Sequence, residues 1–209
     1  MSLTDKQILE RLGMITGSDA GAIEGTSFYT SAYQCWAIKT KRVVDKFLGN
    51  NKTELGEWLE GFAVKKYEQF SGRKCRKVVR TIRHKKYDFI GGHIDRLVEG
   101  DPHRGVECKA VTADGMGKWL DEDDNLMVPD YYVSQVKHYA LVTGRMTWDF
   151  AVVFTDGRRD PFFTTFEFTR DDLDLYLARC LEFWRLVQNN TPPDVDSSDA
   201  TSTALKYEW

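Results

Sequence analysis

The segment Gly92-His93-Ile94-Asp95 is followed twelve positions after its acid by Glu107-Cys108-Lys109. Side chains two apart on a strand point to the same face, so Glu107 and Lys109 can share one side of a sheet. A hairpin return between the segments would bring Asp95 beside them. Two carboxylates with a lysine suit metal-dependent phosphodiester hydrolysis. The acids hold hard divalent cations through oxygen, and the lysine supports the nucleophile or the charge that develops.

The bare Glu-x-Lys pattern is weak, since a chain of this composition should show roughly one by accident. Its bland reading is an exposed strand with a mixed charge pair. The flanks add weight, because Val106, Cys108 and Ala110 form an alternating apolar row expected of a half-buried strand. Residues 89–98 read as a second strand, with Gly91 and Gly92 allowing close backbone approach. Gly100-Asp101-Pro102-His103 between them is a turn.

Downstream, residues 131–144 have helical spacing, with Val133, Val136, Ala140 and Leu141 near one side and Gly144 as C-cap. Gln135 and Tyr139 stand four apart and so stack on one face. Alone, they describe equally a polar helix face closed by a core tyrosine.

In this order, Asp95, Glu107-x-Lys109 and Gln135-x-x-x-Tyr139 resemble the nuclease core shared by phage lambda exonuclease, the YqaJ-type viral recombinases and the RecB nuclease domain. Arg11-Leu12-Gly13-Met14-Ile15-Thr16-Gly17-Ser18-Asp19-Ala20 is similar to that family's opening segment, and Gly56-Glu57-Trp58-Leu59-Glu60 to its Gly-x-x-x-Glu helix. The similarity runs from about residue 9 to the strand near Phe154, and the ordered set is more specific than any single element.

The resemblance implies an α/β fold with a restriction-endonuclease-like PD-(D/E)XK core, a central mixed β-sheet flanked by helices. It implies that Asp95, Glu107 and the Cys108 carbonyl ligate metal, with Glu60 contributing from its helix. Lys109 would position the attacking water and stabilise the transition state. Gln135 would lie near the active centre with Tyr139 on the substrate side, and Arg11 and Ser18 would grip a 5′-terminal phosphate. Family members often carry a further acid upstream of the Asp95 position; the nearest here is Asp88.

The protein type implied is a prophage alkaline exonuclease. It would use Mg²⁺, as two ions, with Mn²⁺ a possible substitute. It would digest one strand of duplex DNA 5′-to-3′ from phosphorylated ends and release mononucleotides. Assembly as a ring-shaped homotrimer and handover of the 3′ overhang to a phage single-strand annealing protein are also implied.

Length and composition suit one nuclease domain over residues 1–190 and a polar, ill-ordered tail over 191–209. No apolar run is long enough to span a bilayer, and the N-terminus lacks a signal peptide's apolar core. The four cysteines, Cys35, Cys75, Cys108 and Cys180, lie far apart, which argues against zinc, disulfide or iron–sulfur scaffolding. A reducing bacterial cytoplasm fits best.

The net charge of −3 is poor evidence for a nucleic-acid binder, but its distribution matters. From Arg73 to Lys86 the chain carries Arg73, Lys74, Arg76, Lys77, Arg80, Arg83, Lys85 and Lys86 with no acid among them. Such a run can neutralise phosphates, or be merely a solvated strand pair. Asp121 to Asp124 and the acids of the tail provide the opposite sign, so that a polyanion is steered to one surface.

The remaining elements must position these groups. Residues 3–12 read as a helix, and 18–24 as a short one with Ser18 as N-cap, which would supply hydroxyl and free amides for an anion. Residues 31–40 form a third helix with Tyr33, Trp36 and Ala37 on its core face. Asn50-Asn51 breaks the chain before a long amphipathic helix over 53–70. Its stripe of Leu55, Trp58, Leu59, Phe62, Ala63 and Tyr67 reads as core. Residues 112–129 read as a mobile loop over the site unless Trp119 pins it. Strands over 146–155 and 162–168, joined across Asp156-Gly157, precede a closing helix over 171–187 with Leu173, Leu177, Leu181 and Trp184 on one side. Two other readings stay open: an endonuclease on the same core, and a DNA-binding module whose catalytic centre has decayed.

Overall fold

A computed structural model describes residues 5–44 and 51–207. At its centre is a five-stranded mixed sheet, ordered β1-β4-β5-β6-β7. The strands are β1 (Cys75–Lys77), β4 (Arg96–Val98), β5 (Arg104–Val111), β6 (Thr147–Phe154) and β7 (Phe162–Glu167). Only β5 and β6 run parallel, with Glu107 opposite Phe150 and Lys109 opposite Val152. A parallel pair needs a crossover, which α5 (Asp130–Thr143) provides. β2 (Ile82–Arg83) and β3 (Gly91–Gly92) form a separate two-stranded ribbon.

Strand β6 is buried on both faces, and its alternation divides the core. Trp148, Phe150 and Val152 join the larger cluster with residues of α2 (Gly17–Glu24), α3 (Ala32–Lys39), α5 and α6 (Arg170–Gln188). Ala151 and Val153 face the other way, with Val106 and Cys108, against Ala63, Val64 and Tyr67 of α4 (Asn51–Ser71). The alternating row of β5 therefore packs on α4, while Glu107 and Lys109 point toward α5.

Several expectations need correction. Residues 89–98 are not one strand: β3 and β4 belong to different sheets, and Asp95 lies in the break just before β4. The buried stripe of α4 is narrower than its apolar residues suggest. Ala63, Val64 and Tyr67 are buried, but Leu55, Trp58, Phe62 and Phe70 are exposed, Trp58 by 79%. A single sheet face cannot cover so wide an arc of one helix. Ser18 is not the N-cap of α2. Thr16 holds that position, and Asp19 reaches back to accept from its backbone N–H at 2.7 Å.

The tail is not wholly irregular. α7 (Asp199–Tyr207) packs on α3 with Thr201 and Ala204 buried, and the Thr201 hydroxyl donates to Ser31 at 2.7 Å. The stretch after β5 is pinned, with a 3-10 turn over Ala113–Trp119 that buries Met116 and Trp119. α6 turns Leu173, Tyr176, Cys180 and Phe183 inward, leaving Leu177, Leu181 and Trp184 half-buried. Of α1 (Asp5–Leu12), residues 3 and 4 of the expected helix lie outside the described residues, as does Asn50 of the expected break. Among the described residues no helix is long and apolar enough to cross a membrane.

Candidate active site

The antiparallel register of β4 with β5 sets Arg96 opposite Val106, so Asp95 falls level with Glu107. Because β4 begins only at Arg96, the Cys108 N–H lies beyond its ladder and donates instead to Asp95 Oδ2 at 3.0 Å. The Asp95 carboxylate lies near enough for its charge to act on Glu107. Glu107 is 1% exposed. One of its oxygens meets the Lys109 ammonium at 2.6 Å, and the other, Oε2, is buried with no hydrogen-bond partner.

That arrangement is electrostatically costly. Burial, and then the Asp95 carboxylate, push Glu107 up to about 8, although Lys109 pulls the other way. Burial would lower the Lys109 pKa, but Glu107, Tyr132 and Asp95 together outweigh it and hold the ammonium above its ordinary value. Lys109 also approaches Gln135 Oε1 at 3.2 Å and lies 4.3 Å from the centre of the Tyr132 ring. Gln135 in turn donates to the Tyr139 hydroxyl at 2.7 Å. Asp95, Glu107, Lys109, Gln135 and Tyr139 thus form one connected set.

Tyr139 links this set to the start of α2. A Cβ added at Gly17 would lie 2.5 Å from the Tyr139 ring, and one at Gly21 would lie 2.9 Å from Tyr131. The two glycines, four apart, let the backbone of α2 lie directly on α5. Beside Gly17, Arg11 donates to the Ser18 hydroxyl at 2.9 Å, and that hydroxyl is also 2.9 Å from Thr16 Oγ1. Arg11 and Ser18 therefore stand together at the helix start, where free amides favour an anion.

Beneath them is a buried ion pair that sequence reasoning missed. Lys39, 8% exposed, donates to Asp19 at 2.9 Å and to the carbonyls of Met14 at 2.7 Å and Arg11 at 3.1 Å. Burial alone would raise Asp19, but Lys39 beside it holds the carboxyl below its usual range. The Thr16-x-x-Asp19 spacing was the available signal, a capping-box pattern. Nothing local marked Lys39.

Glu60 is not brought into the carboxylate pair. It forms an ion pair with Arg96, which adjoins Asp95, and burial and then Asp95 raise its pKa. The Arg96 partner was also missed, because it arises only when α4 packs across β4. His138 is a further missed residue, fully buried, bridging the Tyr176 hydroxyl at 3.0 Å and the Gly91 carbonyl at 2.9 Å. Burial lowers it to about 4, so it remains neutral and ties α5 to β3. Asp88 stands exposed in the turn before β3, its carbonyl accepting from Arg83.

The donors of Asp95 and Glu107 suit a hard divalent cation. Their oxygens are the right type, and the orphaned Glu107 Oε2 is the position a ligand would satisfy. Among the described residues no cluster of three or more His, Cys, Asp and Glu side chains forms a metal cage. A cation there would complete its shell with water, a backbone carbonyl such as that of Cys108, or substrate oxygen. Mg²⁺ sites are commonly built that way.

Comparison with known proteins matches residues 8–146 to the YqaJ-like viral recombinase domain. The chain is 32% identical over 211 residues to "Uncharacterized protein YqaJ" of Bacillus subtilis (strain 168), covering 98% of the chain and 63% of that protein. It thus spans a little under two-thirds of that relative's length. Among solved structures it is similar to an alkaline exonuclease from Laribacter hongkongensis, with a TM-score of 0.70 and 18% identity over 90% of this chain and 94% of that one. A phage-related exonuclease from Haemophilus somnus 129PT gives a TM-score of 0.58 at 14% identity, covering 85% and 96%. The fold is accordingly that of the alkaline exonucleases, a mixed sheet flanked by helices.

Proposed function

The chain belongs to the YqaJ-like viral recombinase family, and on that premise we propose that it is a divalent-metal-dependent exonuclease. It digests one strand of linear duplex DNA, 5′-to-3′, leaving a 3′ overhang for recombination by strand annealing. The observation that carries the reading is the Glu107 carboxylate, one oxygen on Lys109 and the other buried without a partner beside Asp95.

Asp95 and Glu107, with the Cys108 carbonyl, hold the cation, taken to be Mg²⁺ as two ions with Mn²⁺ able to substitute. When bound, such ions lower the pKa of the attacking water and offset charge on the leaving oxygen. Lys109, anchored between Glu107 and Gln135, donates to the nucleophile or to the phosphoryl oxygens as charge builds. Gln135 fixes the direction of that ammonium, and Tyr139 fixes Gln135. Glu60 acts at the edge of the site through Arg96 unless cation binding draws it away. Arg11 and Ser18 grip the 5′-phosphate, and the exposed Arg76, Lys77, Arg80 and Lys85 contact the duplex backbone.

The family resemblance supports a ring-shaped homotrimer, an annealing-protein partner and action in the host bacterial cytoplasm. End-labelled linear duplex compared with closed circular DNA tests the exonuclease reading: linear DNA is consumed from its ends and circles survive. Cutting of circles would favour the endonuclease reading. Metal-independent binding without cleavage would favour the decayed module.

A further inference from the structure

An array of aromatic rings leads from the candidate lysine to the protein surface. The Tyr132 ring centre is 4.3 Å from Lys109 Nζ and 4.2 Å from the Tyr131 ring centre. Tyr131 meets Tyr29 and Phe28 edge-on, at 5.5 and 6.3 Å between centroids. Phe28 is 76% exposed and Tyr29 is 58% exposed. Lys118, reaching from the 3-10 turn, places its ammonium 3.9 Å from the centre of the Tyr29 ring.

Edge-on packing holds Phe28 and Tyr29 against Tyr131 while both stay largely exposed, a different use of aromatics from a closed core. Phe28 and Tyr29 belong to the loop between α2 and α3, where burial inside the domain was available to Tyr33 and Trp36 but not to them. Two lysines, Lys109 and Lys118, among four rings are the composition of a stacking surface more than of a phosphate clamp. The acids Asp121 to Asp124, exposed in the turn after Trp119, also disfavour a purely ionic site for a polyanion. Base stacking tolerates that setting, because every base has a π-face whatever its sequence.

We propose that Phe28, Tyr29 and Tyr131, with Lys118, form a stacking platform for unpaired nucleobases of a DNA strand end. The platform is continuous through Tyr132 with the Asp95–Glu107–Lys109 centre, so a strand lying on it has its neighbouring phosphates at that centre. The inference rests on the nuclease reading and specifies its substrate: the strand enters with its terminal bases unpaired. Stacking on the platform holds the frayed end open while the attached phosphodiester reaches Lys109.

The test uses the full chain in EDTA, so that nothing is cleaved, with a 5′-phosphorylated oligodeoxyadenylate of about eight nucleotides. A second oligonucleotide has the same length but lacks bases at its two terminal positions. The wild type should bind the complete oligonucleotide about tenfold more tightly than the abasic one. The double variant Phe28→Ala, Tyr29→Ala should lose that discrimination, and Phe28→Trp should keep it. Retained discrimination in the alanine variant, or equal binding of both oligonucleotides by the wild type, overturns the platform. So does a change of oligomeric state in the variant, which would assign the rings to contact between copies. Cleavage of linear duplex in Mg²⁺ is measured on the same wild-type preparation. Cleavage without base-dependent binding removes the platform alone; base-dependent binding without cleavage removes the nuclease reading instead.

Discussion

Lys109 meets Glu107, its neighbour two positions back on β5, at 2.6 Å, and by doing so neutralises only one of the two carboxylate oxygens. The pair is a charge arrangement left incomplete in the direction of Asp95. Both carboxyls cannot comfortably ionise so close together in a buried setting. A divalent cation held by Asp95 and Glu107 would remove the conflict and leave the Lys109 ammonium available to a substrate.

Lys109→Ala should lower the rate of duplex cleavage by at least about 10²-fold, the scale for losing one preorganised donor to the transition state. Duplex binding, followed by anisotropy in EDTA, should change little because Lys109 is one cation among many. Wild-type turnover in the variant would remove Lys109 from the mechanism.

Cation binding should be linked to pH through Glu107. Without metal its carboxyl titrates at about 8, so at lower pH an ion must displace a proton to bind. The thermal stabilisation given by a fixed Mg²⁺ concentration should therefore grow as pH rises toward and past about 8. The sign for stability is the converse. With its pKa raised above the unfolded value of 4.5, Glu107 destabilises the metal-free fold increasingly from that pH up to about 8. Glu107→Gln should flatten both trends. A stabilisation by Mg²⁺ independent of pH in the wild type would contradict this linkage.

The Asp95–Glu107–Lys109 arrangement was legible because strand alternation fixes which residues share a face, and the turn at Gly100-Asp101 forces the return. The α5 pair was legible for the same reason at helical period. Contacts made across elements were not. Glu60 could be placed near the stripe of α4, but its pairing with Arg96 depends on how that helix crosses β4. Hydrophobicity likewise marked Trp58 and Phe62 as core, although the arc of α4 that the sheet can cover ends at Ala63, Val64 and Tyr67. The helix after the Pro192-Pro193 pair was hidden because its anchor is a hydroxyl contact, Thr201 to Ser31, between residues remote in sequence.

The Lys39–Asp19 pair should matter to stability because it is buried. Lys39→Ala leaves a buried carboxylate uncompensated and should cost about 3–5 kcal/mol, read as a fall in the urea midpoint. The double change Lys39→Met, Asp19→Asn should recover much of that loss. The pH sign follows from Asp19, whose folded pKa lies below 3.8. Its contribution is complete above that value and is lost as pH falls through the folded pKa. Wild-type stability, compared with Asp19→Asn, should therefore converge on the variant only in strong acid. A gap unchanged down to about pH 2 would contradict the ion pair's contribution.

Arg11→Ala should slow digestion of 5′-phosphorylated ends far more than it weakens duplex binding. The guanidinium now held on Ser18 is the group available to a terminal phosphate. Rates on phosphorylated and hydroxyl ends, measured side by side, check the assignment. Equal losses on both ends would contradict it.

The most direct measurement is a time course on linear duplex DNA bearing a single 5′-phosphate, with Mg²⁺ and with EDTA, for the wild type and for Asp95→Asn. The wild type in Mg²⁺ should release mononucleotides from the phosphorylated end, with no release in EDTA and almost none from Asp95→Asn. Equal product in EDTA, or an Asp95→Asn variant as fast as the wild type, would contradict a metal-dependent centre built on Asp95, Glu107 and Lys109.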